Sequence, residues 1–135
     1  MKIKDIHKWE KAVVIVLNLD GWELSHTGEG MEWYDAKGKT PKGYDCVIEM
    51  KFRDKHYEDK LIEKDKLERL LSLNVVALYF VADSKGNYMF WLNDLELPEV
   101  KTLYCPETTM WNSRKVKKEC YLLNESKAVV ININE

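Results

Sequence analysis

A chain of 135 residues sits near the commonest domain size, so one compact unit over residues 1–135 is expected and two full domains would be cramped. Its 45% hydrophobic and 33% charged residues exclude the disordered and collagen-like classes. A net charge of −2 excludes a broadly basic nucleic-acid coat while leaving room for a local basic patch.

The longest apolar run, residues 12–17, is too short to span a bilayer, and no secretory cleavage pattern flanks it. A cytoplasmic protein with no membrane association is expected. Cys46, Cys105 and Cys120 form an odd set with no close pair in sequence, which fits neither a disulfide framework nor a zinc cluster. His7, His26 and His56 are spaced so that no helical metal pair or nucleophile motif results, which disfavours a histidine-centred hydrolase.

Along residues 5–19, Ile6, Trp9, Val13, Val16 and Leu17 recur at helical spacing, with Asp5 placed to cap the first turn. Glu10 falls inside that apolar stripe: it is either a stripe-edge carboxylate that reaches water or a site residue. Residues 22–27 read as a short strand before a Gly28-Glu29-Gly30 turn, and residues 31–36 as a second strand. Residues 37–43, with two glycines, a proline and three lysines, read as the connection of a hairpin. Residues 44–53 then alternate, with Tyr44, Cys46, Ile48, Met50 and Phe52 on one face and Asp45, Val47, Glu49, Lys51 and Arg53 on the other.

Residues 57–73 read as a helix whose apolar side carries Tyr57, Leu61, Leu67 and Leu71, with Lys60 and Lys64 projecting onto that side. Residues 75–82 and 88–92 are strongly strand-forming and are joined by a five-residue turn at 83–87. Further strands are expected at 119–123 and 128–133.

The informative stretch is 35–53, DAKGKTPKGYDCVIEMKFR, where a hairpin can bring Asp35 beside the charged face of the next strand. Asp35 and Glu49 offer hard oxygen ligands suited to Mg²⁺ or Mn²⁺. Lys51, two residues from Glu49, projects from the same face and can hold a phosphate or stabilise charge on phosphorus. Asp45 is a rival first ligand, but four strand residues separate it from Glu49 by roughly 13 Å unless the strand bends. Taken alone, such a strand is an amphipathic edge with solvated charges. The order of elements and the acid within the helical stripe favour a site.

An acid at the end of one strand and a Glu-x-Lys on the next, here Asp35 with Glu49-Met50-Lys51, resembles the PD-(D/E)xK nuclease superfamily. The resemblance covers residues 5–92 and implies an α/β, restriction-endonuclease-like αβββαβ core with a central mixed sheet flanked by helices, plus a C-terminal β-containing extension. More narrowly, the 35–43 loop, the EMKFR strand at 49–53 and the 79–92 hairpin look similar to small phage-type members. One departure is Tyr34, which stands where the motif has proline. The resemblance also implies a metal-dependent deoxyribonuclease: Asp35, Glu49 and the Met50 carbonyl hold Mg²⁺ or Mn²⁺, Lys51 assists water attack, the first-helix acid falls on Glu10, and a polar second-helix residue falls near Lys64.

Lys37, Lys39 and Lys42, with Arg53, Lys55 and Lys60 close in sequence, are candidate DNA phosphate contacts. Arg114, Lys115, Lys117 and Lys118, between Trp111 and Tyr121, form a second basic and aromatic cluster for which a plain surface loop is the simpler reading. A subunit of this size offers limited surface to a duplex, so a homodimer is compatible with DNA as the partner. The alternatives left open are a non-catalytic module of the same fold that binds DNA or protein, and an assembly or inhibitor protein that touches no nucleic acid.

Overall fold

The computed structural model describes residues 3–107 and 114–132. Trp111, and Ile133 at the end of the strand expected at 128–133, lie outside them. Helix α1 spans Ile3–Leu19 and strands β1, β2 and β3 span Glu23–His26, Ala36–Lys39 and Asp45–Phe52. Strand β4 (Asp59–Glu63) runs directly into α2 (Lys64–Ser72), followed by β5 (Val76–Ala82) and β6 (Asn87–Trp91). The C-terminal part adds β7 (Lys101–Pro106), β8 (Lys115–Asn124) and the short β9 (Val129–Val130). No helix among the described residues is long and apolar enough to cross a membrane.

Two sheets result. The larger has the order β1-β2-β3-β5-β6-β9 and is mixed, because β3 and β5 run parallel while every other neighbouring pair is antiparallel. The smaller, β4-β8-β7, is antiparallel throughout. Helix α1 covers one face of the large sheet, where Val13, Val14 and Leu17 pack on Ile48, Met50, Leu78 and Phe80. The other face is covered by α2 and the small sheet, where Leu67, Leu70, Ile62, Tyr121 and Leu123 meet Val47, Tyr79, Val81 and Phe90. A central parallel pair closed on both faces needs apolar side chains in both directions, which is why β5 reads as an unbroken VALYFVA run.

The structure differs from the expected elements at the start of α1, in β2, at residues 59–63 and in the C-terminal part, where β7 is an additional strand and β8 begins at Lys115, within the basic cluster read as a loop. Helix α1 begins at Ile3, so Asp5 sits within its first turn rather than capping it, where its charge still complements the helix dipole. Strand β2 starts only at Ala36, so residues 31–35 form part of a loop and the turn shrinks to Thr40–Gly43, closed by the Gly43 amide on the Thr40 carbonyl at 2.8 Å. Residues 59–63 are a strand, not the first turns of a helix, because they pair with β8 from Asp59↔Asn124 to Glu63↔Cys120 and bury Lys60 and Ile62 in alternation. The cysteines Cys105 and Cys120, distant in sequence, lie as buried free thiols with their sulfurs 3.9 Å apart.

Strand β3 also departs from a solvated edge. It is a central strand, and its charged face is roofed by α2 and the small sheet, so Glu49 is 7% exposed. A carboxylate in that position has to be accounted for.

Candidate active site

Antiparallel register brings the two principal acids together. Ala36 pairs with Ile48, so one step back along the hairpin places Asp35 opposite Glu49. The Asp35 amide donates to the Ile48 carbonyl at 2.9 Å, and its Oδ2 accepts from the Met50 amide at 2.7 Å. The Asp35 side chain is therefore oriented by the backbone of the very strand that carries Glu49 and Lys51. The Met50 side chain points the other way, into the α1 core.

Glu10 reaches the same place from α1. It is 3% exposed, and a Cβ added to Gly28 would overlap Glu10 Oε1 while standing 2.8 Å from His26 Nε2 and 3.2 Å from Asp35 Oδ1. Three side chains from three elements thus converge on the backbone of Gly28, and any larger residue would displace them. Glu10 Oε1 is in turn 2.7 Å from His26 Nε2 and 3.1 Å from His7 Nδ1.

The electrostatics are those of a site short of positive charge. Burial first, and then the negative charges of Glu49 and Glu10, push Asp35 up to about 8, against the Met50 amide, which favours its ionised form. Burial likewise raises Glu49, although Lys66 and Lys51 oppose it. Lys51 is lowered by burial and then by the neighbouring charges of Arg53 and Lys66. Hard carboxylate oxygens gathered and desolvated in this way are a donor set that a divalent cation would neutralise, so the residues present fit Mg²⁺ or Mn²⁺.

Several expected positions lie elsewhere. Asp45 is exposed and paired to Lys39 at 2.7 Å, away from Glu49. Lys64 is held by Glu68 and Glu119 at 3.7 and 3.5 Å, and the second-helix cation that reaches the acids is Lys66, whose Nζ is 3.3 Å from Glu49 Oε1. Lys60 is not available to DNA: it is buried, 2.8 Å from Asp83 Oδ2 and 3.3 Å from Glu125 Oε2, with its amine 4.2 Å from the centre of the Tyr88 ring. Lys37, Lys42, Arg53 and Lys55 are exposed, as is Lys39 apart from its partner Asp45. In the second basic cluster, Arg114 and Lys118 are engaged by Glu107 and Glu63.

His7 and His26 were missed from the sequence. His7 carried one usable signal, its i, i+3 spacing to Glu10 on the same helix, whereas His26 comes near only because β1 packs beside α1.

No family model matches the chain, and no curated protein matches it. Among solved structures, the fold is similar to that of Hjc, a Holliday junction resolvase from the archaeal hyperthermophile Archaeoglobus fulgidus, with a TM-score of 0.61 and 15% identity over 92% of this chain and 89% of that one. The chain has the restriction-endonuclease-like fold. The likeness extends beyond residues 5–92, which carry the motif, and so takes in part of the C-terminal β extension. In this restriction-endonuclease-like chain, β4 is inserted between β3 and α2 of the expected αβββαβ order and docks the C-terminal strands against the side of the sheet that holds Glu49.

Proposed function

We propose that the chain is a metal-dependent nuclease that hydrolyses DNA phosphodiester bonds. The observation that carries this reading is the juxtaposition of Asp35, in the loop just before β2, with Glu49 on β3, while Glu10 enters from α1 and Lys51 lies beside Glu49 on the same face. Asp35, Glu49 and the Met50 carbonyl would hold Mg²⁺ or Mn²⁺, which when bound neutralises phosphate charge and favours deprotonation of water.

The chain's own groups divide the remaining work. The Met50 amide fixes Asp35, and Lys51 positions the scissile phosphate and offsets the charge developing on it. Lys66 supplies a second ammonium at Glu49, and the exposed Lys37, Lys39, Lys42 and Arg53 serve the flanking phosphates. The similar structure is a Holliday junction resolvase by its name, so a four-way junction belongs among the substrates tested. One site per single-domain chain makes paired strand cuts the work of a homodimer, acting in the cytoplasm.

The test compares wild type, Glu49→Ala and Lys51→Ala on labelled duplex, single-stranded and four-way-junction DNA with Mg²⁺ or Mn²⁺. Wild type should cleave at least one substrate, with each variant slower by about 10² or more. Equal cleavage by all three proteins overturns the mechanism, and tight DNA binding without cleavage or metal uptake favours a non-catalytic binding module.

A further inference from the structure

Beside the hard-oxygen site is a ligand set of different chemistry. We propose that His7, Glu10 and His26 form a second metal site, one that takes a divalent transition ion of the Zn²⁺ or Co²⁺ class. Their ligand atoms, one per residue, all lie within 4.8 Å of one another. Glu10 Oε1 stands between the two rings, 2.7 Å from His26 Nε2 and 3.1 Å from His7 Nδ1, and the rings meet edge-on with centroids 5.9 Å apart.

Two imidazoles and one carboxylate are a borderline-soft set preferred by Zn²⁺, Co²⁺ and Ni²⁺ over Mg²⁺, which keeps oxygen ligands and water. Three ligands at about 2 Å from a tetrahedral ion sit about 3.3 Å apart. His26 and Glu10 therefore need to part by well under 1 Å to admit one. An ion bound here takes the place of any proton shared between a ring nitrogen and the carboxylate oxygen, and that proton leaves to solvent or to the other nitrogen of the ring.

One feature outside the ligand set points the same way. Glu10 Oε1 and His26 Nε2 lie tight under the backbone of Gly28, which closes that side of the cluster. His7 lines an open groove of about 570 Å³ with Lys8, Lys11, Ala12, Ile15 and Glu29, so one ligand of the set is open to solvent. An ion here ties α1 to β1 and fixes Glu10, the carboxylate that extends to Asp35.

The test is optical and needs no DNA, so it stands apart from the nuclease reading. Co²⁺ is titrated into the metal-stripped protein and the visible d–d absorption followed, with Zn²⁺ competition and melting temperature as second readouts. Wild type should bind about one Co²⁺ at this site, displaced by Zn²⁺, with a melting temperature that rises with ion concentration. His7→Ala and His26→Gln should each weaken that binding by about tenfold or more and abolish the thermal shift, with circular dichroism confirming the fold. The Gln variant retains an N–H for Glu10. Glu49→Ala should keep the Co²⁺ band while losing Mg²⁺-dependent cleavage, which separates the two sites. No visible band in wild type, or a band indifferent to both histidine variants, overturns the proposal.

Discussion

Lys66 Nζ lies 3.3 Å from Glu49 Oε1, an ion pair that joins the first turn of α2 to the middle of β3. This ammonium stands in part for the charge a divalent ion would bring. Removing it as Lys66→Met should therefore tighten Mn²⁺ binding. Lys66 is 39% exposed, so screening keeps the effect near 1 kcal/mol, about fivefold in Kd. Calorimetric titration of both proteins measures it, and weaker binding by the variant would show that Lys66 helps hold the site together instead.

Gly28 gives a sharper geometric prediction. Its backbone approaches Glu10 and Asp35 so closely that a single methyl group must push one of them aside. Gly28→Ala should lower DNA cleavage by about 10², the usual consequence of misplacing reactive groups by an ångström. Overpacking should cost about 1–3 kcal/mol of stability without unfolding the chain. Cleavage rates together with urea melts separate the two effects; full activity in the alanine variant would mean that the loop simply gives way.

Tyr79 links the two sheets through one hydroxyl. It is 3% exposed on β5, and its phenol donates to the Leu61 carbonyl of β4 at 2.7 Å. Tyr79→Phe should destabilise the protein by about 1–3 kcal/mol, since the carbonyl is left without its donor in a dry environment. A urea denaturation midpoint unchanged from wild type would place water at that carbonyl.

The parts of the site legible in the sequence are those set by local periodicity. Alternation along residues 44–53 placed Glu49 and Lys51 on one face, and the 3.6-residue repeat of α1 marked Glu10 as a carboxylate in an apolar stripe, which the structure buries. What failed was decided by long-range pairing. Leu61 and the lysines around it look helical, yet residues 59–63 are a strand because β8, some sixty positions later, supplies the hydrogen-bond partners. The same distance hid the fate of Lys60, whose counter-charges Asp83 and Glu125 lie 23 and 65 positions away. His26 was illegible for a related reason: nothing within β1 announces that its ring will face Glu10 on α1.

The buried Lys60 and the half-buried Asp83, His56 and Glu125 form an ionic cluster whose contribution to stability should depend on pH. Burial alone would raise the Asp83 carboxyl, but hydrogen bonds from the Lys60 ammonium, the Lys85 amide and the His56 ring together hold it below the ordinary carboxylate value. A carboxyl with a depressed folded pKa stabilises the native state above its unfolded value of about 3.9, and that stabilisation is lost as pH falls through the lower folded value. Asp83→Asn, which removes the nearest counter-charge of the buried Lys60 ammonium and leaves it Glu125 at 3.3 Å, should cost about 1.5–3 kcal/mol at neutral pH. The gap between wild type and variant should then narrow as pH is lowered from about 5 toward 2, because protonation does to the wild type what the substitution has already done. Urea melts of both proteins across that range read the effect directly, and a gap that stays constant with pH would mean that Asp83 does not titrate with folding.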